Sequence, residues 1–453
     1  MNEMIIAGTS SNVGKTTITM GILKWLQKEG YNVGSFKVGP DYIDPQFHAK
    51  ALGERGHNLD LVLMGKKGVV EVYEEAMNKA EVSVIEGVMG LYDGDKEEGV
   101  KSSTAEVAKL LHVPVILILQ GEAMAETAGA IVLGCQKYDE DLRIAGVIVN
   151  GVSSKAHYRL IEASIQKKTG IPVLGFVPKD PVMAFPSRHL GLSIDALGED
   201  PIHEQLLGMA NFLEKHLDFP KLLSLTMSRK KAVPSLKKHV ETTIERPVRI
   251  GYALDEAFSF YYKRTFELLQ KAGVELIPFS PLKDQVLPKD LDGLYFGGGY
   301  PELQGEGLSG NVSFRKDLLK RLDQGIPTLA EGGGYMYLCE TLVDLQGQVH
   351  EMVGFFTGQS IMTKKLQGFG YRGITLGEKR LLGHEYRHSY LVEEGDAFLC
   401  DGLYDHGKPN FCQGQHKKNA YGSYVHVHLL SNLEVVEEAV TLCRDWRLTH
   451  GTR

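Results

Sequence analysis

Short aliphatic runs at 4–7, 33–38, 82–85, 113–119, 144–149 and 172–177 alternate with stretches whose apolar residues recur at helical spacing, as at 17–28 and 104–111. Most of the runs are rich in β-branched residues and close on Gly, Asn, Glu or Pro, the habit of strands buried on both faces of a parallel sheet. The alternation predicts an α/β domain with a parallel sheet between helices. The texture changes near 200. Residues 215–246 are dense in Lys and Arg, poor in aliphatic runs and interrupted by Pro220 and Pro234, which reads as a linker carrying a single helix. A second α/β alternation begins at Pro247, with strands expected at 248–253, 274–279, 293–296 and 326–330 and helices at 256–272 and 312–324. After Gly347 the pattern is more β-like and glycine-rich, and a last helix is expected at 434–448. The expected division is a first domain over 1–200, a linker over 201–246 and a second domain over 247–453.

Composition narrows the class. With 50 Lys and Arg against 57 Asp and Glu, the net charge of −7 argues against a generically basic nucleic-acid binder. The longest aliphatic run, 113–119, contains Pro114 and is bounded by His112 and Gln120, so it is too short to span a bilayer. The chain enters its first strand-like run at residue 4 without a basic segment leading into a long apolar one. Five cysteines (Cys135, Cys339, Cys400, Cys412 and Cys443) are odd in number and scattered, which fits neither a disulfide framework nor a CxxC zinc site. A cytoplasmic protein with no membrane and no nucleic-acid partner is expected.

The first candidate chemistry lies at 4–17, Met-Ile-Ile-Ala-Gly-Thr-Ser-Ser-Asn-Val-Gly-Lys-Thr-Thr. A strand runs into a loop of small residues, and Gly-Lys-Thr opens a helix, so backbone N–H groups and the helix dipole face one point. Thr9, Asn12, Val13, Gly14, Lys15, Thr16 and Thr17 are the expected ATP-binding residues, with Lys15 for the β/γ-phosphates and the Thr16 hydroxyl for Mg²⁺. The strict P-loop pattern would place its first glycine at Thr9; here the glycine is Gly8. Mg²⁺ needs further hard oxygens at strand ends, and Asp41 and Glu86 are the candidates. Lys37, also at a strand end, is expected to steady phosphate charge.

Several motifs go beyond a bare P-loop. They are Lys37-Val-Gly-Pro-Asp-Tyr-Ile-Asp-Pro, Asn58-Leu-Asp60, Glu86-Gly-Val-Met-Gly and Pro186-Ser-Arg-His-Leu-Gly-Leu192 in the first half. The second half adds Asp255-Glu-Ala-Phe-Ser-Phe-Tyr-Tyr262, Gly297-Gly-Gly-Tyr-Pro-Glu302, Gly383-His-Glu385 and Ser423-Tyr-Val-His-Val-His428. Together they resemble the cobyrinate a,c-diamide synthase family. The resemblance implies a P-loop domain similar to dethiobiotin synthetase, followed by a class I glutamine-amidotransferase-like domain. In that family ATP and Mg²⁺ convert a substrate carboxylate to an acyl phosphate, and ammonia from glutamine attacks it. The substrate is the corrinoid cobyrinic acid, amidated at its a and c acetates; close relatives take hydrogenobyrinic acid or nickel-sirohydrochlorin. The resemblance also suggests Asp44, Asp93, Arg188 and His189 as substrate-binding residues. A polyanionic substrate calls for a locally basic pocket, to which Arg372 or Arg387 would contribute.

A class I amidotransferase needs a cysteine on a tight strand-to-helix turn, an activating histidine and backbone donors for an oxyanion. The resemblance assigns His426 as that histidine, Gly298, Gly299 and Gly333 as the oxyanion loops, and position 332 as the nucleophile. Position 332 is glycine. Cys339 lies seven residues on, roughly 10 Å of helical rise away. Cys400 and Cys412, near His406 and His416, match no compact zinc finger. Three readings stay open: a degenerate glutaminase in an enzyme that uses free ammonia, ammonia delivered by a separate glutaminase, or a laboratory Cys→Gly change. The rival class is a nucleotide-gated corrinoid-binding or regulatory paralogue that no longer amidates. The choice of tetrapyrrole is open, and so is a homodimer.

Overall fold

The computed structural model describes residues 1–94, 102–184, 199–227, 246–376, 378–393, 395, 400–402 and 414–450. The chain divides into two units, Met1–Lys237 and Lys238–Arg453.

The first unit is built on seven strands: β1 (Asn2–Gly8), β2 (Val33–Val38), β3 (His57–Leu59), β4 (Val82–Glu86), β5 (Val115–Gln120), β6 (Ile144–Asn150) and β7 (Val173–Val177). Their order is β3-β2-β4-β1-β5-β6-β7, and every pairing is parallel. The aliphatic runs become central strands because both faces are covered; Met4, Ile5, Ile6, Val84, Ile85, Ile116 and Ile118 have no exposed surface. The unforeseen strand β3 is three residues long and reads His-Asn-Leu, with no aliphatic run to announce it. Because β1 stands between β4 and β5, the loops after β1, β2 and β4 leave one edge of the sheet side by side, the usual place for a ligand in an open parallel sheet.

The linker expected from 201 is folded over its first part. Glu199–His216 and Phe219–Thr226 are helices, and Leu206, Met209, Ala210 and Leu213 are fully buried in the core of the first unit. Their spacing makes one apolar stripe, and it closes over the helix α1 (Lys15–Lys28). Trp25 of α1 stacks on Phe219 at 3.8 Å between ring centroids, and Lys28 pairs with Glu214 at 2.9 Å. Burying each such leucine stabilises the unit by about 1.5–3 kcal/mol, far more than lysine-rich flanks can oppose.

The second unit contains β8 (Val248–Ala253), β9 (Val274–Phe279), β10 (Gly293–Phe296) and β11 (Thr328–Glu331), all parallel. Ala420–Ser423 extends this sheet beyond β11, and Gly414–Lys417 closes its edge antiparallel. The β-rich tail expected after Gly347 supplies three strands to a four-stranded sheet that also holds Thr341–Val343, and all four strands of another, built around the hairpin of Gly368–Leu376 and Lys379–Arg387. The last helix runs Leu433–His450. The helix expected at 256–272 starts only at Lys263. The preceding N–H groups are used elsewhere: those of Ala257 and Phe258 donate to the Asp255 carboxylate, and those of Ser259 and Phe260 to Gly298 O. No described helix is long and apolar enough to cross a membrane.

Candidate active site

The loop after β1 wraps a small space. A Cβ at Gly8 would lie 2.5 Å from Val13 Cγ2 and 2.9 Å from Ser10 O, so the loop returns over this residue and the glycine is needed here, one place before the usual position. Gly14, at φ +92°, opens α1 in a left-handed conformation, and the Asn150 amide occupies the space where its Cβ would be. Asn150 Nδ2 also donates to Val13 O at 2.9 Å, tying the loop to the end of β6. Lys15 Nζ turns back into the loop, donating to Ser10 O at 3.0 Å and to Met89 O. A cation among main-chain groups at a helix N-terminus fits a polyphosphate.

Behind the loop lies a buried polar network. Thr16 Oγ1 donates to Glu86 Oε1 at 2.6 Å. Lys37 Nζ lies 3.1 Å from the same oxygen and 2.6 Å from Asp44 Oδ2, and donates to Gly87 O at 3.0 Å. His48 Nε2 meets Glu86 Oε2 at 3.0 Å. Glu86, Asp44 and His48 are fully buried and Lys37 nearly so. Burial alone works to raise the Glu86 carboxyl; the charge of Lys37, aided by His48 and Thr16, overrides it and holds the group well below the usual range. A hydroxyl beside an ionised carboxylate is a hard-oxygen pair of the kind Mg²⁺ takes, so these residues fit the ion. Asp41 Oδ1 accepts from the N–H groups of Ile43 and Asp44, shaping the turn into the helix α2 (Asp44–Leu52).

In the second unit β11 ends at Glu331, and Gly332 turns sharply into the short helix Gly333–Leu338 with φ +50° and ψ −114°. A Cβ built at Gly332 would point straight at His426, 3.0 Å from Cε1 and closer to Nε2. A Cβ at Gly298 would strike the same ring, so the imidazole sits between two glycines. A Cβ at Gly333 would lie 3.1 Å from Gly299 N, which places the expected oxyanion loops against each other. Glu331 is buried beneath the turn; it accepts from Val427 N at 2.9 Å and Tyr295 OH at 2.8 Å, and its Oε2 lies 3.8 Å from His426 Nδ1. Burial pushes Glu331 up to about 8. Burial, with His384 nearby, pushes His426 down to about 3, so the ring is neutral at ordinary pH. The turn has the shape of a nucleophile elbow with a base in front of it and no nucleophile on it.

Two family models cover most of the chain: a CobQ/CobB/MinD/ParA nucleotide binding domain over residues 4–192 and a CobB/CobQ-like glutamine amidotransferase domain over 249–433. A cobyrinate a,c-diamide synthase of Caldanaerobacter subterraneus subsp. tengcongensis is 39% identical over 455 residues, spanning 98% of each chain. One from Listeria innocua is 39% identical over 444 residues, 95% of this chain and 97% of that one. The chain belongs to the cobyrinate a,c-diamide synthase family. Its first unit carries the family's nucleotide-binding half, its second the amidotransferase-like half, and it is a carbon–nitrogen ligase. A solved glutamine amidotransferase structure is similar over 43% of this chain and 98% of its own, with 14% identity and a TM-score of 0.33.

In this synthase-family chain, Thr16 and Lys37 both reach Glu86, and Lys15 lies in the neighbouring loop with its Nζ on Ser10 O. Asp44, expected to bind substrate, instead has no exposed surface and anchors Lys37. Asp93 is exposed and closes its own loop by accepting from Gly90 N at 2.8 Å. Arg188 and His189 lie outside the described residues. Arg372 and Arg387 are both committed to Glu385, at 2.8 and 3.2 Å. His48 and Asn150 went unforeseen; each stands alone in its stretch of sequence. Glu331 is likewise unannounced by the sequence, yet its carboxylate lies 3.8 Å from His426 Nδ1.

Proposed function

We propose that this chain amidates the a and c acetate carboxylates of cobyrinic acid with ATP and Mg²⁺, and that it takes its nitrogen from ammonia and not from glutamine. ATP, when bound, supplies the phosphoryl group that turns a carboxylate, a poor acyl donor, into one with phosphate as leaving group. Lys15 and the loop N–H groups would hold the phosphates, and Thr16 and Glu86, with Asp41 near the same sheet edge, would hold Mg²⁺. Lys37, fixed between Asp44 and Glu86, keeps positive charge at the strand ends where the transferred group would lie.

The nitrogen source rests on Gly332. His426 is neutral and aimed at the right point, yet glycine has no atom to form a thioester, so the route through glutamine has no first step. The test compares ammonium chloride with glutamine, using cobyrinic acid and ATP and following ADP and product. Turnover with ammonium and none with glutamine is the expected result, with no glutamate formed by the unaltered chain. Gly332→Cys should release some glutamate, slowly at first because His426 must draw back from the new Cβ. Glutamate release by the unaltered chain would overturn the assignment of its nitrogen source. Glutamine-dependent turnover on adding a separate glutaminase would place ammonia delivery in a partner. Tight corrinoid binding with no ADP over hours would favour the gated, non-amidating paralogue, and turnover with nickel-sirohydrochlorin alone would move the substrate.

A further inference from the structure

The hairpin of Gly368–Leu376 and Lys379–Arg387 sorts its side chains by chemistry. Its register pairs Phe369 with Tyr386 and Tyr371 with His384, and since successive residues alternate faces, these four share one side. Their rings form a continuous ladder. Tyr371 and Phe369 both meet His384, at 5.3 and 5.4 Å between centroids; Phe369 meets Tyr386 at 5.9 Å, and Tyr386 meets His388 at 5.6 Å. The other side holds Arg372 and Arg387, whose guanidinium groups are spent on Glu385.

Position gives the ladder a direction. On the next strand, His426 pairs with His384, so the buried end of the ladder lies beside the turn at Gly332 that the His426 ring faces. At the other end Phe369 is 48% exposed and Tyr386 56%. Beside it, the segment 363–367 is stapled to the hairpin by Thr363 N to His388 O at 2.6 Å and Gln367 N to Arg387 O at 2.9 Å. That segment carries the exposed Lys364, Lys365 and Leu366. This end thus combines two exposed aromatic rings, set nearly perpendicular to each other at 83°, with two ammonium groups, on the same sheet as His426.

We propose that this ladder is the shelf on which the macrocycle docks, its ring system lying against Phe369 and Tyr386 and its peripheral carboxylates reaching Lys364 and Lys365. A broad, flat ligand with apolar faces and a fringe of negative charge is the partner that this pairing of aromatic and cationic groups complements. The shelf rests on the proposed amidation of a corrinoid and names where that substrate sits in the second unit.

The test is calorimetric titration of the full-length chain with cobyrinic acid in the absence of nucleotide, with MgATP binding measured in parallel as a control for folding. Phe369→Ala with Tyr386→Ala is expected to weaken macrocycle binding about tenfold or more while MgATP binding stays unchanged. Phe369→Leu with Tyr386→Phe should keep affinity within a few-fold. Lys364→Glu with Lys365→Glu should weaken binding and flatten its dependence on salt. Wild-type affinity in the alanine pair overturns the shelf alone, and so does an equal loss in both aromatic pairs, which marks a packing defect. Unchanged affinity with a drop in sedimentation mass assigns the face to a second copy of the chain. Failure of the unaltered chain to bind the macrocycle overturns the amidation reading and the shelf with it.

Discussion

Removing the imidazole of His48 would leave Glu86 Oε2 buried with one partner fewer, on a carboxylate whose other oxygen already serves Thr16 and Lys37. Groups that orient a metal-binding carboxylate from behind typically carry 10–100-fold in metal affinity. His48→Ala is therefore expected to shift the Mg²⁺ dependence of ATP binding by about tenfold, and His48→Gln, which keeps a donor, to recover part of it. Nucleotide calorimetry across a Mg²⁺ series measures this, with thermal unfolding in chelator as the structural control. Identical Mg²⁺ curves for His, Ala and Gln would rule the role out. The same residue shows where sequence reading stops. Lys15 and Thr16 are legible because loop and helix start are contiguous, and Glu86 because an acid ends an aliphatic run. His48 meets its partner across 38 residues, and Asn150 meets Val13 across 137; neither pairing has a local signature. Asp44 misled because an acid after a strand looks like an open loop residue, whereas its carboxylate faces inward to Lys37.

Among the elements, the helix Glu199–His216 departs most from expectation. Its buried positions at 202, 206, 209, 210 and 213 have helical spacing, but the charged residues between and after them dominate the local composition. What makes it part of the first unit is the surface it meets: Leu213 packs so closely over Gly21 of α1 that a methyl group there would collide with it. Leu213→Ala is expected to cost the first unit about 2–5 kcal/mol, by urea unfolding followed at Trp25. A cost near zero would restore the linker reading. The loop at 254–262 makes the same point from the other side. Its apolar pattern suits a helix, yet Gly298 O and Asp255 compete for its N–H groups and win. The central strands were legible because burial on both faces forces an uninterrupted aliphatic run; β3, short and polar, had no such constraint.

Across the molecule, the two units handle buried charge differently. The first neutralises it by pairing, as at Lys37 and Glu86; the second pairs Glu385 with Arg372 and Arg387 but also holds several buried groups uncharged. Burial, with Arg264 nearby, pushes His428 to about 3, as His426 is pushed, while burial lifts Glu302 to about 7 and Glu331 to about 8. Histidines with lowered values add stability above their unfolded value near 6.5 and lose it as pH falls toward 3. Carboxyls with raised values add stability below about 4.5 and lose it as pH rises through 7 and 8. The second unit should therefore be most stable in mild acid and weaken on both sides. Glu331→Gln should flatten the alkaline limb of its unfolding free energy; an unchanged limb would show that this carboxyl is not the cause. The arrangement of a nucleotide-binding half before an amidotransferase-like half was readable from motifs, because each motif is a local run.

The glycine at the elbow has a further consequence, in redox terms. A thiolate of lowered pKa is the group that peroxide and electrophilic glutamine mimics attack first. Here the turn offers them a hydrogen atom, Cys339 and Cys443 are buried, and burial keeps the Cys135 thiol protonated. If amidation runs on free ammonia as proposed, its rate will not depend on a thiolate at position 332, and of Cys135, Cys339 and Cys443 none stands exposed to take that thiolate's place as a target for oxidants.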